Sequence, residues 1–125
     1  MKRDYFLGGG LLAAGLLASL ILAPLASAQD MAVTAGSNAK VVLDNDKVRV
    51  IELNMPPGAT TGVHSHEGDS MVVFLSGGSA TQTQADGSTK TLDRKPGDVM
   101  WSGPATHETK NTGKKPTRTL VIELK

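Results

Sequence analysis

The chain contains no cysteine. Disulfides and thiolate metal ligands are excluded, so stability has to come from packing, with bound metal able to add to it. An excess of either charge is missing as well. Lys and Arg number 13 and Asp and Glu 12. Such a balance gives no electrostatic basis for binding nucleic acid or an anionic membrane. No amphipathic helical stripe follows the first 28 residues, which removes the helical fold classes. Aromatic residues make up 3% of the chain, with a single tryptophan, Trp101. A lone Trp in a domain of this size is expected in the core rather than at a cavity mouth.

What is present begins with a leader. Met1-Lys2-Arg3-Asp4 is a short charged start, and an apolar stretch runs from Tyr5 to Leu25. Ala26-Ser27-Ala28 then offers a small-x-small cleavage site. This is the anatomy of a secretory signal peptide over residues 1–28. Gly8-Gly9-Gly10 and Pro24 weaken the alternative of a retained membrane anchor. Lys2-Arg3 lacks the paired arginines of a twin-arginine leader, which favours general secretion. The expected location is the periplasm or the medium, with no membrane attachment after cleavage. The remaining 97 residues suit one domain with a small core. Lys2, Arg3 and Asp4 leave with the leader, so the exported part carries 11 basic and 11 acidic residues.

Residues 29–39 are small and polar and read as a mobile N-terminal arm or a weakly held strand. Short strands are predicted over 40–43, 47–53, 61–66, 70–75, 79–84, 89–92, 99–101 and 117–124. Turns are predicted where Gly, Pro, Asp and Asn cluster, including Arg94–Asp98. Ala85-Asp86-Gly87-Ser88 is a hairpin signal, because Asp-Gly accepts the positive φ of a tight turn. Many short strands at close spacing argue for an all-β antiparallel barrel or sandwich, with a jelly roll as the closed form.

The chain's three histidines fall in two short segments: His64-Ser65-His66 and His107. On a strand, His64 and His66 share a face roughly 7 Å apart, which allows two imidazoles to converge on one ion. A third can arrive from another strand. Neutral imidazole suits Fe, Mn, Ni, Zn or Cu, and three such ligands leave positions open for water or substrate. The alternative is hydrogen-bonded histidines without metal. Met71 offers a thioether or simply fills the core, and Ser70 offers a hydroxyl to a bound water or to its own turn. Glu67 and Asp69 read as solvated turn residues, and Asn111 as a residue that fixes its turn. Thr81, Gln82, Thr83 and Gln84 line a polar pocket on alternate faces or form a wet edge strand.

These motifs resemble those of a small single-domain cupin. Gly58, His64 and His66 match the first cupin motif in order and spacing, with Gly77 or Gly78 as its closing glycine; Gly97, His107 and Asn111 fit the second, whose turn reads Gly103-Pro104-Ala105 and whose gap from Gly97 to His107 is one residue short. The resemblance covers residues 40–125 and implies a cupin-type jelly roll, with a divalent transition metal held by His64, His66 and His107. The family's usual glutamate is absent. Ser70 stands in its place at one spacing and Met71 at the other. The resemblance further implies a small-molecule ligand beside the metal. Cupins are often homodimers, and no sequence feature marks an interface. Two functions stay open: an oxygenase-like metalloenzyme, or a non-catalytic or metal-free cupin that binds a small ligand. No protein nucleophile is evident.

Export is expected to remove residues 1–28 and leave Gln29 as the first residue. Intact-mass measurement of the exported protein checks this, and full-length mass in a membrane fraction would instead indicate an anchor.

Overall fold

The structure is a computed structural model that describes residues 29–125. The expected signal peptide lies outside the described residues. Within them the chain forms one short helix and nine strands. The helix α1 spans Met31–Thr34 and is followed by a 3₁₀ turn at Gly36–Asn38. The strands are β1 Ala39–Asp44, β2 Val48–Met55, β3 His64–His66, β4 Ser70–Phe74, β5 Gly78–Gln84, β6 Thr89–Arg94, β7 Val99–Ser102, β8 Ala105–Asn111 and β9 Thr117–Leu124.

All strand pairs are antiparallel. One sheet has the order β1-β2-β9-β4-β7 and the other β3-β8-β5-β6. The expected all-β jelly roll is therefore the fold. Strand periodicity builds its core. On β2, Ile51, Leu53 and Met55 point inward at every second position and are buried. Val121 of β9 pairs with Ile51 and joins the same layer. The hairpin at Asp86-Gly87 forms as predicted, with Gly87 at φ +84°.

Residues 29–39 depart from the expected arm. Met31 and Ala35, one helical turn apart, are both buried and pack with Ile51, Leu53, Met55 and Val121. Asp30 caps α1, accepting from Ala32 N at 3.0 Å. Both of its oxygens also accept from Arg49 at 2.8 Å. Two apolar side chains and one bidentate ion pair anchor a segment whose composition gave no hydrophobic signal.

Trp101 also departs from expectation. It is 60% exposed and belongs to neither the core nor the cavity wall. On β7, Met100 and Ser102 face inward, so alternation turns Val99 and Trp101 out. Asn111 does fix its turn. Its amide donates to the carbonyls of Met55 and Lys115, both at 2.9 Å, and its side-chain oxygen accepts from Gly113 N. No helix among the described residues is long and apolar enough to cross a membrane.

Met31→Ala is expected to cost about 2 kcal/mol or more, as truncation of a buried Met leaves a cavity. Urea unfolding checks this through a lower midpoint at unchanged m-value. A mobile arm would show no change.

Candidate metal centre

The three histidines meet because of one strand register. β3 and β8 pair so that His64 stands directly opposite His107, and Ser65 opposite Thr106. Paired residues share a face, so His64, His66 and His107 all point into the barrel. Each is nearly buried, at 1%, 9% and 8% exposure. Gly62 prepares the strand. Its φ of +66° is in the left-handed region, and a Cβ there would come 3.1 Å from the Thr34 carbonyl oxygen. Thr61 extends the pairing below the histidines, with its amide donating to the Thr109 carbonyl and its hydroxyl accepting from Thr109 N.

One candidate ligand atom from each histidine lies within 4.8 Å of the others. The Nε2 atoms of His64 and His66 are 3.1 Å apart. Two nitrogens bound to one ion at about 2.0–2.1 Å stand roughly 2.9–3.4 Å from each other at angles between 90° and tetrahedral. The observed separation lies inside that range. His64 Nδ1–H donates to the Gly62 carbonyl at 2.9 Å, which makes Nε2 the lone-pair nitrogen; it accepts from His66 Nε2 here and is the atom that would ligate an ion. Burial lowers the pKa of His64 from its ordinary value. Burial, and then the neighbouring His64 and His66, push His107 down to about 4. Both rings are thus held in the neutral form that binds metal. The Nδ1 atoms of His66 and His107 are buried without a hydrogen-bond partner among the described residues.

A carboxylate does stand near the cluster, on β9, outside both histidine segments. Glu123 of β9 pairs with Ser70, and its Oε1 lies 3.7 Å from His66 Nδ1. Its Oε2 accepts from Arg49 Nε and Nη2 at 3.1 and 2.9 Å. His66 and Arg49 hold the Glu123 carboxyl below the usual carboxylate range. It contacts the far side of an imidazole rather than the convergence point, the position from which an acid orients a ligating histidine. No motif spacing marks Glu123 in the sequence.

Ser70 is 1% exposed and lines the same cavity as the histidines. Met71 sits on the other face of β4, opposite Trp101 and Ile122, and takes no part in the cavity. Glu67 and Asp69 are exposed, as expected. Of the Thr81–Gln84 run, Gln82 alone lines the cavity, with its amide 3.4 Å from Thr109 Oγ1. The cavity measures about 100 Å³, and its wall is largely apolar, including Leu53, Val72, Phe74, Leu92 and Val121. Arg94, expected in a turn, instead ends β6 and lines this cavity.

The sequence model of the cupin domain matches residues 51–123, more than half of the chain. This chain belongs to the cupin family. The cupin resembles solved structures across 67–70% of its length. A cupin domain from Bordetella pertussis Tohama I is 28% identical, with a TM-score of 0.65, covering 70% of this chain and 91% of that one. A cupin superfamily protein from Desulfitobacterium hafniense DCB-2 is 22% identical, with a TM-score of 0.54 and coverage of 69% and 74%. A polyketide cyclase from Streptomyces resistomycificus is 22% identical, with a TM-score of 0.53 and coverage of 70% and 67%. The latter two likenesses concern the fold alone. No curated protein matches this cupin.

The position of the missing carboxylate can be tested by replacing it. Ser70→Glu is expected to raise affinity for Mn and Fe relative to Cu, because a hard anionic oxygen then faces the histidines. Met71→Glu should leave that affinity unchanged, because its side chain points to the opposite face. Titration of both variants with Mn and Cu decides between the two registers.

Proposed function

We propose that this cupin is an exported protein that binds one divalent transition metal through His64, His66 and His107 and a small organic molecule beside it. The carrying observation is the convergence of three nearly buried imidazoles, two of them with Nε2 atoms at 3.1 Å, on one wall of a mostly apolar cavity. Fe, Mn, Ni, Zn and Cu all suit this donor set. A bound ion of this kind supplies Lewis acidity and, for the redox-active metals, chemistry with oxygen.

The chain's own groups would do the positioning. Gly62 fixes the tautomer of His64, and Glu123 stands behind His66. The apolar wall excludes bulk water and accepts the carbon skeleton of the ligand, while Ser70 and Gln82 give it polar contacts. Among the described residues the cavity wall carries no carboxylate to act as general base. A redox-active ion held by three histidines would support oxygenase-like chemistry, and oxygen uptake with candidate substrates tests it. A cupin that binds its ligand without turnover would keep the same cavity and show no uptake.

One metal per domain is expected by isothermal titration of chelator-stripped protein, with His107→Ala nearly abolishing it. At a hundredfold excess over Kd, metal should stabilise the fold by about 2.7 kcal/mol. Protons compete for the ligand nitrogens, so affinity should fall as pH drops below about 6.5. Because burial lowers His64 and His107, the latter to about 4, protons compete for those two nitrogens only well below the free-imidazole value, and the fall should be steepest as pH nears 4. Equal binding by a triple histidine-to-alanine variant would refute the site.

A further inference from the structure

Arg94 is a cation without a counter-charge on the cavity wall. Its Nε is buried and has no hydrogen-bond partner among the described residues. Its Nη2 reaches the thioether of Met100 at 3.3 Å, a weak acceptor. Its guanidinium carbon lies 5.5 Å from the centroid of Phe74. The other two arginines of the described residues behave differently: Arg49 pairs with Asp30 and Glu123, and Arg118 with Glu52. No described carboxylate forms an ion pair with Arg94. The acids nearest in sequence are engaged elsewhere, Asp93 with the Ser79 hydroxyl and Asp98 with Lys95 N.

A guanidinium remains charged at any accessible pH, and its planar fork matches a carboxylate through two parallel hydrogen bonds. Here that fork stands on a wall it shares with Val72, Phe74, Leu92 and Met100. Strand pairing separates it from the metal centre. On β5, Gly78 pairs with Arg94 at one end, and Gln84 pairs with His107 at the other. The cavity therefore has a cationic pole and an imidazole pole with apolar surface between them.

We propose that the small molecule is a short-chain carboxylate, its carboxylate gripped by Arg94 and its other end directed toward the histidines. The orientation rests on the metal reading above; the contact with Arg94 does not. A cavity of about 100 Å³, against the roughly 150 Å³ space that holds benzene, suits a short chain.

Calorimetric titration with butyrate and with its neutral isostere butyramide tests the assignment, first on manganese-loaded protein and then on chelator-stripped protein. Butyrate is expected to bind at least tenfold more tightly than butyramide in wild type. Arg94→Gln should erase that preference while manganese affinity stays within twofold. Arg94→Lys should restore it only in part, because an ammonium has no fork. The acid-over-amide preference should persist without metal. Four results overturn the proposal: no butyrate binding at millimolar concentration, equal binding of acid and amide, equal butyrate binding by folded Arg94→Gln, or a preference that vanishes with the metal. The last would place the carboxylate on the metal itself. Loss of manganese binding alongside intact Arg94-dependent butyrate binding would refute only the metal reading. The wild-type comparison of acid with amide stands even if a variant fails to fold.

Discussion

His64 and His107 face each other across the β3–β8 pair, and the geometry of the candidate site follows from that register. A slip of one residue would turn one partner's side chains to the other face and scatter the imidazoles. Several contacts hold the register from outside the cluster. Thr61 and Thr109 exchange hydrogen bonds beside it, and Asn111 ties the end of β8 to Met55 and to the turn before β9. The sheets also meet at His66 and Glu123, one from each sheet. Arg49 bridges Glu123 to Asp30, so the cap of α1 is linked through two ion pairs to the carboxylate behind an imidazole.

The interior is consequently divided. Ile51, Leu53, Met55 and Val121 form an apolar layer with Met31 and Ala35. Beside it lie His64, His66, His107, Ser70, Thr61 and Asn111, all buried and polar. Burying polar groups is costly unless they are hydrogen-bonded. Thr61 and Asn111 are fully engaged in backbone contacts, whereas two imidazole Nδ1 atoms and Arg94 Nε are not. His66, His107 and Arg94, which carry these unpartnered nitrogens, all line the cavity.

Much of this was legible in the sequence because strands have a period of two. His-x-His puts two imidazoles on one face whatever surrounds them, and the strand predicted over 47–53 is β2, which runs on to Met55. The two histidine segments were also recognisable as cupin motifs. Less legible was anything that depends on pairing between distant strands. Glu123 approaches His66 only because β9 lies beside β4, and no local spacing encodes that adjacency. Arg94 precedes Lys95-Pro96-Gly97, whose turn signal masks it, although it is the last residue of β6. Small polar neighbours mask Met31 and Ala35, and Trp101 is exposed because alternation on β7 outranks the preference of a lone Trp for the interior.

The placement of that indole has an optical consequence. Trp101 is the chain's one tryptophan, and it stands 60% exposed on the outer side of the five-stranded sheet, outside the cavity wall. An indole so exposed is surrounded by water. The cavity lies on the other side of its strand, so a ligand entering the barrel does not touch the ring. Val99, beside it on the same strand, is also exposed. Any body that covers this outer surface would dehydrate the ring and shift its spectrum to the blue. The protein thus carries an intrinsic reporter for its exterior and none for its interior.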